Sequence, residues 1–267
     1  MELLISNAAI AAHLLFIYVV LVFFVAQISH DNSVMDIAYG PAFFVAVGGT
    51  LIATMNFATL PTIIVACISL WSARLSIRIF RKNKGKPEDA RYAAWRKAWN
   101  QKGVVYFVVR TFLQINILQG IIIFLVALPG IIALSSAENY SPLFAAVGLA
   151  VFAFGLGYET VADWQLDQFL KGKRAGTTTE PLMKTGLFAY SRRPNYFGET
   201  LVWWGLAIMV LPLPFGWLGL ISPILITYIV SKVTGPMLEK IFLEKYPEEY
   251  RAYMTTTPYI YPRLFIS

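Results

Sequence analysis

Long apolar segments constrain this sequence more than any other feature. Of its 267 residues, 57% are hydrophobic and only 14% are charged, whereas soluble domains usually carry about 25% charged residues. A helix needs about 20 consecutive apolar residues to cross a bilayer. We therefore predict an all-α integral membrane protein that forms a single domain over residues 1–267. Seven transmembrane helices are predicted, at residues of about 7–27, 35–55, 58–80, 108–134, 142–168, 197–213 and 216–233.

The positive charges form three blocks along the chain. No Lys or Arg precedes Arg74; eleven lie from Arg74 to Arg110, six from Lys171 to Arg193, and five from Lys232 onward. With seven spans, the three blocks fall on one side of the membrane, and the positive-inside rule makes that side cytoplasmic. The N-terminus is therefore predicted outside and the C-terminus in the cytoplasm.

Several carboxylates lie inside or at the ends of the apolar segments, where a charge is costly unless it is paired or hydrated. Asp163 and Asp167 are four residues apart and share one helix face, with Glu159 one turn above. Basic residues flank this face in the sequence, so a ligand with phosphates and sugar hydroxyls would satisfy both groups. Interhelical salt bridges would explain the same charges. All these carboxylates except Glu159 are expected in one cavity that is open to the cytoplasm; the full set is Asp36, Glu159, Asp163, Asp167 and Glu199.

The stretch YSRRPNYFGETLVWWG begins the sixth apolar segment with an unusual density of polar groups. Pro194 suits the first turn of a helix, where its missing N–H is not needed. Asn195, Glu199 and Trp203 then recur at intervals of four and share one face. A column of amide, carboxylate and indole suits a flat ring that carries an amide. A capped helix start with an interfacial aromatic anchor is the alternative interpretation.

Other kinds of site lack support in the sequence. Cys67 is the single cysteine, which excludes an intramolecular disulfide and a cysteine metal cluster, and no metal site is predicted. Gly155 and Gly157 form an isolated G-x-G inside a predicted membrane helix, so they are interpreted as helix-packing contacts. The basic loops lack the interleaved aromatic residues of nucleic-acid-binding proteins, so no nucleic-acid partner is expected.

Four segments carry a resemblance to a known family. PLMKTGLFAYSRRPNYFGETLVWWG and LEKYPEEYRAYMTTTPYIYP resemble the C-terminal domain of the steroid 5-alpha-reductase family. SVMDIAYGPAFF and FRKNKGKPEDARYAAWRKAW are similar to the bacterial membrane branch grouped with that family, so the resemblance covers most of the chain. It implies a seven-helix reductase of the bacterial inner membrane that holds NADPH in a cytoplasmic cavity. It further implies that the helices up to residue 135 face the substrate and that residues 136–267 bind the cofactor.

The resemblance also implies roles for residues at matching positions. Asn195 and Glu199 would contact the nicotinamide end of NADPH, with Trp203 beside it. Asp163, Asp167 and Arg174 match the spacing of family groups that hold the adenosine, ribose and phosphates. The remaining cofactor-binding candidates are Lys86, which stands in the place of a family arginine near the phosphates, and Lys173, Arg193 and Tyr196.

The predicted reaction follows from this family. Hydride would pass from NADPH to the activated C=C bond of a lipophilic, steroid-like or other enone substrate, while a protein acid stabilises the enolate. The Gln-Glu pair and Tyr with which steroid reductases polarise the substrate ketone are missing here, which leaves Asp36 or Tyr39 as the acid.

Two alternatives to the reductase stay open. An S-adenosylmethionine-dependent methyltransferase of a lipid or prenylcysteine shares the R-x-P-x-Y turn and an acidic tail, whose glutamates we interpret as a solvated helix face. A non-catalytic lipid-binding or scaffold protein is the other alternative. The expected partners are a lipophilic small molecule and membrane lipids. The acidic tail consists of Glu239, Glu244, Glu248 and Glu249.

Overall fold

The computed structural model describes residues 1–136 and 140–263 of the chain, and the regular structure within them is helical. In these two ranges, six helices are long and apolar enough to cross a bilayer. The chain is thus an all-α, multi-pass membrane protein, as predicted. The six helices are Glu2–Ile28, Val34–Thr54, Thr59–Asn83, Val104–Val126, Pro142–Ala175 and Gly216–Lys245.

The predicted sixth span corresponds to a shorter helix, Pro194–Val210. Its 17 residues extend about 26 Å at a rise of 1.5 Å per residue, less than the roughly 30 Å of a typical hydrocarbon core. The count of seven spans and the orientation therefore stay predictions.

The chain divides into two compact units. Unit 1 comprises residues 1–141 and 212–219, and unit 2 comprises residues 142–211 and 220–267. The single domain over residues 1–267, with its substrate and cofactor parts, stays a prediction.

Unit 1 is built mainly from membrane-spanning helices joined by short turns. Its helices are α1 (Glu2–Ile28), α2 (Val34–Thr54), α3 (Thr59–Asn83), α4 (Ala90–Asn100), α5 (Val104–Arg110), α6 (Leu118–Val126) and α7 (Leu128–Leu134). Between α5 and α6 the helix continues through a π-helical segment, Thr111–Ile117.

The predicted span at residues 108–134 is wrong as a single helix, because the chain breaks between α6 and α7. Pro129 lies in the first turn of α7 and has no N–H to continue the preceding helix. The carbonyl of Leu134 at the end of α7 accepts hydrogen bonds from the side-chain amides of Asn7 at 3.0 Å and Asn56 at 2.8 Å. These bonds satisfy a carbonyl that a helix end leaves without an intrahelical partner.

Unit 2 starts with a long helix and ends with two short ones. Its helices are α8 (Pro142–Ala175), α9 (Pro194–Val210), α10 (Ile221–Tyr228), α11 (Thr234–Lys245) and α12 (Pro247–Thr256). A 3-10 turn at Gly186–Ala189 lies between α8 and α9, and a π-helical segment at Ile229–Val233 joins α10 to α11.

Glycines allow α8 and α9 to pack backbone against backbone. A β-carbon added at Gly148 would lie 2.5 Å from the carbonyl oxygen of Gly205, and one at Gly155 would lie 2.8 Å from that of Gly198. One at Gly198 would lie 2.6 Å from the amide nitrogen of Glu159. Since Gly148 pairs with Gly205 and Gly155 with Gly198, the two helices run antiparallel. This close approach is the small-residue packing typical of membrane helices.

The G-x-G prediction is confirmed for one glycine and wrong for the other. Gly155 lies in the α8–α9 contact, whereas no described atom lies within 4 Å of a β-carbon built at Gly157. The physical reason is helical periodicity, because a residue two positions from a contact points away from it.

The C-terminal tail holds the chain in place just before α9. The backbone N–H of Arg192 donates to the carbonyl of Pro258 at 2.9 Å, and that of Arg193 donates to the carbonyl of Tyr259 at 3.0 Å. The Ser191 hydroxyl also donates to the Tyr259 carbonyl at 3.1 Å. The tail thus fixes the direction in which α9 starts, and with it the polar residues of its first turns.

Candidate functional site

One face of α8 carries buried carboxylates. Glu159 is only 4% exposed and Asp163 only 5%, and both belong to the stripe of α8 that contains the contact glycines Gly148 and Gly155. Asp167 continues this stripe by one turn and is half-buried. The shared helix face predicted from their spacing is therefore confirmed. Each of the three carboxylates has an interaction partner in the structure.

The start of α9 is also as predicted. Pro194 occupies its first turn, and Asn195, Glu199 and Trp203 follow on one face of the helix. Asn195 and Glu199 are half-buried, and Trp203 is completely buried. The amide and the carboxylate thus lie near the end of the helix, and the indole lies deeper in the unit.

The antiparallel register sets the axial order of these groups. Because Gly155 lies opposite Gly198, Asn195 is level with about residue 158 of α8 and Trp203 with about residue 150. The predicted contacts from Trp203 to Asp167 therefore extend over roughly 26 Å along the helix axis at a rise of 1.5 Å per residue. A ligand that touches all of them must be extended.

The basic candidates of unit 2 divide between the surface and a cavity. Arg174 is exposed and donates from Nε to the Leu170 carbonyl at 3.2 Å. Lys173 donates from Nζ to the Pro181 carbonyl at 3.2 Å and lines the cavity together with Arg193. Tyr196 is half-buried in the first turn of α9, and Lys86 belongs to unit 1.

The cavity has a volume of about 370 Å³ and lies among the end of α8, residues 181–193, α11 and α12. Most of its wall is aliphatic or aromatic. Its charged lining residues are all cations: Lys173, Arg192, Arg193 and Lys245.

Arg192 forms a buried ion pair that the sequence did not predict. Its guanidinium donates to Glu239 from Nε at 3.0 Å and also from Nη2. Its Nη1 donates to the carbonyls of Met254, at 3.3 Å, and Thr257. The prediction of a solvated face is therefore wrong for Glu239, because this carboxylate points toward Arg192. No periodic signal links two residues that are 47 positions apart.

The other glutamates of the acidic tail differ from Glu239. The Glu244 side chain is 67% exposed and lies 3.9 Å from Lys240, which is 79% exposed. Glu248 and Glu249 are also exposed. For these three residues, the prediction of a solvated face is confirmed.

In unit 1, Asp36 is held by two residues of α4. Its Oδ2 accepts a hydrogen bond from Arg91 Nη2 at 3.1 Å, and its Oδ1 accepts one from the Tyr92 hydroxyl at 2.5 Å. Tyr39 lies on the same helix as Asp36, and its ring contacts that of Phe43 edge to face at 5.2 Å. Both proposed acids are therefore half-buried side chains of α2, and both oxygens of Asp36 already have donors.

Tyr92 is a further candidate acid that the sequence analysis missed. Burial raises the pKa of its hydroxyl, and the neighbouring Asp36 raises it further. The group therefore stays protonated at neutral pH, and its proton lies in the hydrogen bond to Asp36. Gln119 donates to the Tyr92 oxygen at 3.4 Å. The only sequence signal was the position of Tyr92 on the apolar side of α4 with Trp99, both of which are buried.

A second ion pair fixes the turn before α4. Arg96 donates to Glu88 twice, from Nε to Oε2 at 2.9 Å and from Nη2 to Oε1 at 2.8 Å. The Asn32 backbone N–H also donates to Glu88 Oε1, at 2.8 Å. Burial acts to raise the pKa of Glu88, but the hydrogen bonds from Arg96 and Asn32 outweigh it and lower the pKa below its usual range. The charged pair ties α4 to the start of α2.

Comparison with known proteins identifies a family. The family model described as "Protein of unknown function (DUF1295)" matches residues 22–257, and the chain therefore belongs to this family. The family is steroid 5-alpha-reductase-like, which confirms the coarse resemblance seen in the sequence, but no particular steroid reductase is matched.

A related protein and the solved structures add little detail. Uncharacterized protein C594.04c of Schizosaccharomyces pombe is 29% identical over 240 residues, covering 78% of this chain and 65% of its own length. The chain thus spans about two thirds of the length of this relative. Because the relative comes from a yeast, it gives no support to a bacterial membrane in particular. No solved structure matches the chain.

Proposed function

We propose that this chain is an NADPH-dependent membrane reductase that acts on the activated C=C bond of a lipophilic enone. The observation that carries the proposal is the antiparallel α8–α9 contact. It sets the column of Asn195, Glu199 and Trp203 on α9 in axial sequence with the carboxylate stripe of α8, and the two sets meet where Asn195 is level with Glu159.

The donor set of unit 2 fits the chemistry of this dinucleotide. Carboxylates such as Asp163 and Asp167 accept hydrogen bonds from ribose hydroxyls, and an arginine such as Arg174 pairs with phosphate. An amide and a carboxylate, Asn195 and Glu199, complement a ring that carries a carboxamide.

The axial spread favours a dinucleotide over S-adenosylmethionine. The predicted contacts from Trp203 to Asp167 extend over roughly 26 Å along the helix axis, which matches an extended ligand. The methyl donor is a single nucleoside with a short side chain. The methyl donor also has no phosphate, and its one carboxylate needs fewer cations than the phosphates of a dinucleotide do, so it uses fewer of the cations near the end of α8. The reductase therefore accounts for more of the polar and charged residues of this unit than the methyltransferase does.

The reaction requires a hydride and an acid. NADPH, when bound, supplies the hydride. Asn195 and Glu199 would orient the nicotinamide by hydrogen bonds, with Trp203 beside it. The enolate that develops on the substrate oxygen needs a hydrogen-bond donor; the candidates are Tyr39 and the hydrogen-bonded pair of Asp36 and Tyr92, which share one proton.

Binding measurements on the purified protein in detergent test the cofactor. Isothermal titration calorimetry should show NADPH binding and no S-adenosylmethionine binding. Glu199→Gln should raise the Kd for NADPH about tenfold or more, because it removes one charge-assisted hydrogen bond. Glu244→Gln is the matched control, since it removes an exposed carboxylate on α11, and it should leave the Kd unchanged.

Three outcomes decide among the functions. Binding of NADPH, with oxidation of NADPH in the presence of enones and label transfer from tritiated NADPH to the product, supports the reductase. Binding of S-adenosylmethionine alone indicates the methyltransferase. Binding of neither would refute both and leave a non-catalytic lipid protein.

A further inference from the structure

We propose that the cavity among α8, residues 181–193, α11 and α12 of unit 2 binds the phosphate group of an anionic membrane lipid. The cavity includes neither the carboxylate stripe nor the α9 column, but it is lined by Lys173 and Arg193, which the sequence predicts as cofactor contacts and which this proposal assigns to the lipid instead. The proposal does not depend on the reductase activity.

The charge of the cavity favours an anion. Its lining has four cations and no carboxylate. Glu239, which does not line the cavity, neutralises Arg192 in an ion pair. Lys173, Arg193 and Lys245 therefore remain as the positive charges that face the cavity. Lys173 and Lys245 both lie over the ring of Tyr246, with Nζ at 5.5 and 5.3 Å from its centroid. Two ammonium groups thus flank one aromatic ring.

Arg193 lacks the partners that Arg192 has. Its guanidinium lies over the Phe242 ring at 4.9 Å, and its Nε is buried with no hydrogen-bond acceptor among the described residues. A buried donor without an acceptor is costly. An anionic oxygen in the cavity would supply the missing acceptor through a charge-assisted hydrogen bond.

The walls of the cavity come from the ends of two membrane-spanning helices. Leu166 and Leu170 precede Lys173 in the last turns of Pro142–Ala175, and Ile241 precedes Lys245 in the last turns of Gly216–Lys245. Aliphatic side chains therefore lie toward the spans and the lysines lie at their ends. This order matches a lipid, whose phosphate lies at the interface and whose acyl chains extend into the bilayer.

The polar inventory of the cavity argues against a nucleotide. Its lining contains no carboxylate, amide, Ser or Thr side chain that could contact a ribose or distinguish a base. Two of its tyrosine hydroxyls are already engaged, since Tyr253 donates to the Phe188 carbonyl and Tyr250 donates to Glu239 at 3.4 Å. The cations, the Tyr246 hydroxyl and apolar surface remain for a ligand.

Two lipids with the same short acyl chains test the site. Dihexanoyl phosphatidylglycerol is the anionic probe, and dihexanoyl phosphatidylcholine is the zwitterionic comparison. The purified full-length protein should bind the anionic lipid about tenfold more tightly, as judged by the ligand-induced rise in its thermal unfolding temperature. Arg193→Gln should abolish this preference while lowering the unfolding temperature in the absence of lipid by no more than about 2 °C.

The matched control is Lys240→Gln. This variant removes the same charge from the same helix as Lys245, but Lys240 is 79% exposed and does not line the cavity. It should keep the preference, whereas Lys245→Gln should weaken it. Equal binding of the two lipids by the wild-type protein would overturn the proposal, as would an equal loss in the Lys240 and Arg193 variants. Displacement of the anionic lipid by NADPH would show that the cavity belongs to the nucleotide instead.

Discussion

Replacement of Arg192 by methionine should destabilise unit 2 far more than the same change at the adjacent Arg193. Arg192 is 8% exposed, and the Glu239 side chain with which it pairs is 21% exposed, so both charges are largely removed from water. The Arg192→Met substitution removes every donor from the buried guanidinium and leaves Glu239 with the Tyr250 hydroxyl at 3.4 Å. Breaking a buried pair in this way costs about 3–5 kcal/mol.

Arg193→Met is the internal control for this prediction. The Arg193 side chain makes a cation–π contact with Phe242 and no side-chain hydrogen bond to a described residue. Its loss should cost about 0.5–1 kcal/mol. At about 2 °C per kcal/mol for a chain of this length, the Arg192 variant should unfold roughly 6–10 °C below the wild type. The Arg193 variant should stay within about 2 °C of it.

Thermal unfolding in detergent, followed by intrinsic tryptophan fluorescence, measures both variants. A third protein that combines Arg192→Met with Glu239→Leu should recover part of the lost stability, because no uncompensated charge then remains buried. Equal unfolding temperatures for the two arginine variants would refute the assignment of the ion pair. Strict additivity in the double variant would do the same, since it would mean that the two side chains do not interact.

Three further predictions use the same assay. Gly155→Ala should destabilise the protein by about 1–3 kcal/mol because its β-carbon meets the α9 backbone, whereas Gly157→Ala should be neutral or stabilising by up to about 1 kcal/mol; the reverse order would contradict the packing. Glu88 has a lowered pKa in the folded state, so its stabilising effect is present above its unfolded pKa of about 4.3 and is lost as pH falls below that value. Glu88→Gln should therefore reduce the loss of unfolding free energy between neutral pH and pH values below about 4.3. An unchanged loss would show that the Glu88–Arg96 pair does not cause it. Tyr253→Phe removes a buried hydroxyl that donates to a loop carbonyl and should cost about 1–3 kcal/mol; a loss below about 0.5 kcal/mol would show that water replaces the bond.

The helices were predictable because the bilayer imposes its own length on an apolar segment. Runs of about 20 residues at the N-terminus required membrane helices whatever the rest of the chain did. The errors occurred where local backbone chemistry competes with composition. The segment at residues 108–134 is apolar throughout, yet Pro129 ends one helix and starts another within it. In the same way, Pro194–Val210 begins at the predicted proline but is shorter than a full span.

The candidate site was predictable only where its residues share one helix. Spacings of four placed Asp163 with Asp167, and Asn195 with Glu199, on common faces, because helical periodicity is a local property. Contacts between residues that are distant in the sequence produce no periodic pattern, so they could not be predicted. The Tyr92 hydroxyl contacts a carboxylate 56 positions earlier in the chain, and the partner of Arg192 lies 47 positions later.

The two adjacent arginines show why residue type alone could not assign the charges. In the sequence, Arg192 and Arg193 are equivalent members of one basic motif. The C-terminal tail accepts hydrogen bonds from both of their backbone N–H groups, and both side chains line the cavity, yet the two guanidinium groups have different partners. One guanidinium is directed to Glu239 and two carbonyls, which satisfy its donors. The other is directed into the cavity, where a buried Nε lacks an acceptor among the described residues. The groups around each guanidinium therefore make one arginine a structural residue and leave its neighbour available to a ligand.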